Sequence, residues 1–270
     1  MLNWLLNIPL KIFSKKIFYK INFIFLHIIL KFMGYKNYGS YYETGEIYFL
    51  NQLKKFKIKT SIDVGANLGL YSSKLLEISK EKVISFEPMF YSFKKLEKLK
   101  KKNINKFFCF NFALSNKNEV KQIYYVNKFS QLATTSSFTK NIKFLRKYKF
   151  KKKKIKTITM DNFFTKNKKL LENGVDFIKI DTEGNDYKVI SGSIKTIKKY
   201  KPKFIQFEMN SHNLFEGDTL FKFKNIMSNY KIYRMLPFNN GLLEVNADYA
   251  ENNIFHLCIY ILIRKDINLS

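Results

Sequence analysis

Residues 62–71 read IDVGANLGLY. An apolar run ends in Asp63 and Val64, and two glycines follow four apart, Gly65 and Gly69. The periodicity then changes to that of a helix over Tyr71–Ile78. A strand that runs into a glycine-bearing loop and then a helix is the opening unit of an α/β sheet. In such sheets ligands bind beyond the carboxyl ends of the strands.

Working outward, the same alternation recurs. Strands are expected at 61–64, 82–86, 106–114, 176–181 and 203–209, with helices at 43–56, 90–102, 187–199 and 218–228. Stretches 231–236 and 254–263 read as closing strands, an antiparallel pair. The expected fold is therefore α/β, a mostly parallel doubly wound sheet with an antiparallel C-terminal edge. Residues 115–159 interrupt the rhythm: a strand-like EVKQIYYV, a Ser/Thr-rich loop at 130–139 and a lysine-rich run at 147–156. They read as a partly flexible insert on the substrate side of the sheet.

Lys and Arg number 49 against 21 Asp and Glu, a formal charge of +28. All but three of the basic residues (Arg146, Arg234 and Arg264) are lysine, and Asn, Ile, Phe and Tyr are abundant. AT-rich codons produce this bias without selection for a partner. Nucleic-acid readers favour Arg for its forked geometry, so nucleic acid is not the expected partner. Cys109 and Cys258 stand far apart in apolar stretches and read as buried free thiols.

The first 38 residues form a basic-apolar helical segment, and 39–270 form the main domain. The longest charge-free run, Ile21–Leu30, has ten residues, where a membrane span needs about 20. Lys16, Lys20, His27 and Lys31 share one stripe of a helix expected over 12–33, and nearly everything else there is apolar. Such a helix packs on its own domain or a partner, or lies in a membrane interface. A second copy of the chain, giving a homodimer, is one such partner.

The glycine loop limits the cofactor. A dinucleotide fingerprint G-x-G-x-x-G fails, because Asn67 and Leu70 occupy the second and third glycine positions. A P-loop fails as well. Glu87 ends the second strand, 22 residues after Gly65. An acid there accepts hydrogen bonds from both ribose hydroxyls and repels a 2′-phosphate. S-adenosylmethionine carries that ribose and no phosphate. Asp63 and Asn67 can order the loop or meet its amine. A plain tight turn, an NAD-dependent oxidoreductase and a membrane-associated binding module with a degenerate site remain as rival readings.

Six ordered blocks carry a resemblance: IDVGANLGLY (62–71), ISFEP (84–88), NFALSN (111–116), TMDNFF (159–164), DFIKIDTEGNDYKVISGS (176–193) and FIQFE (204–208). On these the chain resembles the FkbM-type family of S-adenosylmethionine-dependent methyltransferases. The resemblance implies a Rossmann-like class I methyltransferase fold and methyl transfer to a hydroxyl, often in polysaccharide or natural-product biosynthesis. Asp63, Gly65, Asn67 and Gly69 match the cofactor loop and Glu87 the ribose acid, while Ala113 and Leu114 would flank the adenine. The acceptor would be a small molecule or glycan. The enzyme would be cytoplasmic, or peripheral at the inner face of the membrane through residues 1–34.

Asp181 and Glu183 stand two apart at a strand end, Glu208 ends the next strand, and His212 follows. Asp181 or His212 could take the acceptor's proton, and Asp181, Glu183 and Glu208 could share a divalent ion. In the plainer reading Asp181 holds the cofactor amine, Glu183 caps a helix and His212 is a loop residue. No structural metal is expected, since no His/Cys ligand spacing occurs. Lys179 could pair with an acid in the cleft.

Overall fold

The computed structural model describes residues 2–128 and 131–269; Met1, Phe129, Ser130 at the head of the Ser/Thr-rich loop, and Ser270 lie outside the described residues. The main sheet begins with β1 (Thr60–Val64), β2 (Lys82–Phe86) and β3 (Phe107–Phe110). Three strands follow in the insert: β4 (Ala113–Leu114), β5 (Glu119–Tyr125) and β6 (Lys151–Ile158). The main sheet resumes with β7 (Phe177–Ile180), β8 (Phe204–Met209), β9 (Tyr230–Met235), β10 (Leu242–Glu244) and β11 (Cys258–Arg264).

Among the described residues the main sheet has the order β10-β9-β11-β8-β7-β1-β2-β3. β3, β2, β1, β7 and β8 run parallel, and β11 inserts antiparallel between β8 and β9. The order reverses at β1, whose neighbours are β2 and β7, and that switch opens a crevice at the carboxyl ends. The central strands are buried along their whole length (β1 TSIDV, β7 FIKI), as in a sheet covered on both faces.

Two hydrophobic clusters fill the two faces. Ile62, Val64, Ile178 and Phe207 point into one, and Phe177, Phe204 and Ile261 into the other. The first cluster is covered by α6 (Met160–Lys166), α7 (Asp186–Ser191), α8 (Ile194–Tyr200) and α10 (Leu220–Ile226). The second lies beneath α3 (Glu46–Leu53), α4 (Leu70–Ile78) and α5 (Phe90–Lys102). Cys109 and Cys258 are buried and free.

Three features differ from the sequence expectation. The helix expected over 12–33 is two helices, α1 (Leu2–Phe13) and α2 (Tyr19–Phe32). Lys15 between them is extended, and the Asn22 amide donates to the Phe13 carbonyl at 2.7 Å, satisfying the end of α1. The helix expected over 187–199 breaks at Gly192, because the Ser115 carbonyl passes where a Cβ would stand, 2.2 Å away. The lysine-rich run is no loose segment either. β6 pairs antiparallel with β5 from Tyr125↔Lys151 to Glu119↔Thr157, and β4-β6-β5 form a second sheet. Lys151–Lys154 are exposed, while Ile155 and Thr157 turn inward.

Residues 30–46 knit the N-terminal helices to the domain. Leu30 and Tyr35 are buried in the first cluster. The Arg234 guanidinium sits 4.2 Å above the Tyr35 ring and donates to the Met33 carbonyl at 3.2 Å. Asn37 N–H donates to the Leu257 carbonyl at 3.2 Å.

Candidate active site

The carboxyl ends of β1, β2, β7 and β8 surround a cavity of about 430 Å³. Gly65, Asn67, Glu87, Ala113, Leu114 and Asp181 all line it. One wall is built from the chain before α3, where Asn37, Tyr38, Tyr41 and Glu46 face the sheet ends. The insert supplies Ile123 and Leu132–Ala133 opposite.

Glu87 is held at the end of β2 by two backbone donors. Asn67 N–H reaches Oε2 at 2.8 Å and Met89 N–H reaches Oε1 at 2.6 Å. An ionised carboxylate accepts about four hydrogen bonds, so one lone pair on each oxygen is free for a diol. Burial pushes the carboxyl up to about 7, against the pull of those two N–H groups. A carboxylate fixed on a cavity wall with capacity for two more donors fits the ribose of S-adenosylmethionine. Ala113 and Leu114, at the start of the second sheet, stand on the same cavity wall and fit an adenine neighbour.

The glycine loop has a different cause from the one its spacing suggests. A Cβ on Gly65 would meet the Asp181 carbonyl oxygen at 1.8 Å, and φ is +81°. The residue therefore lets the loop close on the end of β7. Gly69, φ +82°, precedes α4, and a Cβ there would meet Leu96 at 2.7 Å. Gly69 lies off the cavity wall, as does Asp63 beneath the loop. Asp63 is fully buried, accepts from Ser72 Oγ at 2.6 Å, and has Lys179 Nζ at 4.0 Å. Asn67, φ +46°, takes the left-handed turn that aims its N–H at Glu87.

β7 and β8 deliver the acidic groups. Lys179, 3% exposed, donates to Asp181 Oδ2 at 2.9 Å and lies 4.7 Å above the Tyr71 ring. Burial works to lower its pKa, but Asp181, Asp63, Tyr41 and Glu46 together outweigh burial and hold the ammonium well above its ordinary value. Carboxylate oxygens of Asp181, Glu183 and Glu208 lie within 4.8 Å of one another, close enough to share a cation. Burial, then the Asp181 charge, pushes the carboxyls of Glu183 and Glu208 well up. Asp186 sets this geometry from below: it accepts from Thr182 Oγ1 at 2.6 Å and Glu208 N at 3.0 Å, so one buried carboxyl ties both strand ends together. Glu183 takes φ +52° and its carbonyl accepts from Thr134 of the insert at 2.6 Å. Its side chain meets Asn210 and caps no helix.

His212 is placed apart from this group. It is buried in the first turn of α9 (Ser211–Glu216), packed against Gly184, and does not line the cavity. Burial lowers its pKa to about 4, leaving a neutral ring at pH 7.

A polar chain within the wall was not legible in the sequence. Tyr71 Oη donates to Gln206 Oε1 at 2.8 Å, Gln206 Nε2 to Glu46 Oε1 at 2.7 Å, and Thr44 Oγ1 to Glu46 Oε2 at 2.7 Å. It locks residues 44–46 to β8. The only hint lay in Glu46, an acid placed among the apolar positions of α3.

The profile of the methyltransferase FkbM domain matches residues 63–236. No curated protein matches the chain. Among solved structures the chain is similar to methyltransferase FkbM from Methylobacillus flagellatus, at 14% identity and TM-score 0.44 over 87% of this chain. It spans 59% of that protein's length. It is also similar to an rRNA methylase from Streptococcus thermophilus (8% identity, TM-score 0.42, 80% of this chain and 94% of that one). A third is fibrillarin from Aeropyrum pernix with natively bound S-adenosyl-L-methionine (9%, 0.39, 77% and 66%). The assignment rests on the domain match, which covers well over half of the chain and includes Glu87 and the β7 acids. With its Rossmann-like class I sheet and its ribose-ready carboxylate, the chain belongs to the FkbM family of S-adenosylmethionine-dependent methyltransferases.

Proposed function

We propose that the enzyme transfers a methyl group to a hydroxyl of a glycan, glycolipid or related biosynthetic intermediate, and that Asp181 takes the proton. One observation carries this reading: Glu87 and Asp181 stand on one cavity wall, at the ends of the two strands that flank β1. A ribose held at Glu87 and a hydroxyl held at Asp181 would meet across the Gly65–Asn67 loop. When bound, S-adenosylmethionine supplies a carbon already activated for displacement. The protein's own task is alignment and proton removal.

Lys179 donates to the Asp181 carboxylate and orients it. His212, off the cavity, keeps a packing role in this account. Tyr38, Tyr41, Asn37 and Thr44 add aromatic faces and polar groups to the wall, a mixture suited to a sugar. A cytoplasmic enzyme, working peripherally at a membrane, belongs to the same proposal.

The test is methyl transfer from tritiated S-adenosylmethionine into separated glycan, glycolipid and RNA fractions. Label is expected in the glycan or glycolipid fraction. Asp181→Asn should lower kcat by about 10²-fold or more, with donor affinity changed by less than about tenfold. Label confined to RNA would overturn the acceptor class. An unchanged kcat would remove Asp181 as proton acceptor.

A further inference from the structure

We propose that α1 and α2 form an interfacial arm that docks on an anionic phospholipid surface and holds the cavity mouth against it, so that the acceptor is drawn from the lipid layer. This deepens the methyltransferase reading and rests on it.

The observation is an apolar face without a partner. In α2, Ile21, Phe25, Ile28 and Phe32 recur at spacings of 4, 3 and 4 along one side of the helix. They are 46%, 56%, 41% and 78% exposed. The opposite side meets the domain: Leu30 is buried in the core, and the His27 ring stands 5.8 Å from His256. The arm is thus fixed by one side and bare on the other. Ile12, Phe13 and Ile17 extend the bare surface through the junction with α1. Such a contiguous patch marks an interaction surface.

Charge selects the occupant. Residues 1–42 contain six lysines (11, 15, 16, 20, 31 and 36) and no acid; the first is Glu43. A second copy of the same face would bring like charges together. An anionic lipid layer meets both features: the apolar stripe enters the acyl boundary, and Lys20 and Lys31, along one edge of it, reach the head groups. α2 has 14 residues, about 21 Å, and no helix among the described residues is long and apolar enough to cross a membrane. The arm would therefore lie in the interface.

The arm also leads into the site. Tyr38 lies six positions after Phe32, at most about 20 Å along the chain. Tyr38 both lines the cavity and is 61% exposed, which places it on the rim. Exposed Tyr42 meets exposed Phe238 beside it, ring to ring at 6.0 Å. Tyr35, clasped by Arg234, makes the link from arm to rim rigid.

Flotation of the full chain with vesicles tests the docking. With equal parts phosphatidylglycerol and phosphatidylcholine the protein should float. With phosphatidylcholine alone, or in high salt, at least about tenfold less should float. Phe25→Glu with Phe32→Glu should abolish flotation and leave S-adenosylmethionine binding by calorimetry unchanged, a readout that separates this inference from the enzymatic one. Failure of the wild-type protein to float while it still binds the cofactor would overturn the proposal. So would a dimer that the double variant dissociates. The mouth's orientation is read with Tyr38→Trp in a Trp4→Phe background. Brominated lipid should quench that fluorophore, and an unquenched signal would show that the mouth faces away and that the acceptor is not taken from the layer.

Discussion

At the residue scale, Glu87 holds the most informative position. Burial raises its carboxyl from 4.5 to about 7, and two backbone N–H groups hold it in place. For an acid so raised, the folded protein binds the proton more tightly than the unfolded chain. Its contribution to stability is complete below the unfolded value and is lost as pH rises through about 7. The loss is on the order of 3 kcal/mol for a shift of that size. Ribose hydroxyls donate only to the ionised form well, so donor binding expels a proton. Donor affinity should therefore rise between about pH 6 and 8 and level off above. Calorimetry in buffers of different ionisation heat would register the released proton, and a flat profile would contradict the role given to this carboxyl.

At the element scale, the decisive contact is the approach of the β1–α4 loop to the end of β7. Gly65→Ala would place a methyl 1.8 Å from the Asp181 carbonyl oxygen at φ +81°. Gly174 has a similar φ, +87°, but nothing within 4 Å of its Cβ position. The two substitutions separate backbone strain from collision. Gly174→Ala should cost about 1 kcal/mol, and Gly65→Ala about 3 kcal/mol or more. In thermal unfolding, equal shifts for both would remove the packing account. IDVGANLGLY announced this loop because a buried strand and two glycines leave a local signature, yet its spacing suggested room for a ligand. The obstruction comes from Asp181, over a hundred residues later. β6 was illegible for another reason: Lys151–Lys154 are all polar, so the period of two begins only at Ile155. The break between α1 and α2 depends on one Asn22 side chain. Periodicity carries no record of such a contact.

At the scale of the whole molecule, a mostly parallel sheet was expected from alternating strands and helices, and its antiparallel edge from the last two apolar runs. The wall of the site was not. Asn37, Tyr38 and Tyr41 come from the connection between the N-terminal helices and the domain, and Glu46 from the first residue of α3. The buried chain Tyr71–Gln206–Glu46 makes that connection part of the cavity. Glu87, 22 residues after Gly65, stands on the wall, while Asp63, Gly69 and His212 lie off it. Sequence offsets locate strand ends well, because each strand feeds the same edge of the sheet. They do not say which side chains at that edge turn inward.

The central claim is that this cavity takes S-adenosylmethionine through Glu87. Isothermal titration of the full chain with S-adenosylmethionine, with NAD as the competitor and Glu87→Ala as the variant, tests it most directly. The account predicts one saturable S-adenosylmethionine site, no NAD binding, and affinity at least about tenfold weaker in the variant. An unchanged affinity in Glu87→Ala, or binding of NAD in place of S-adenosylmethionine, would contradict it.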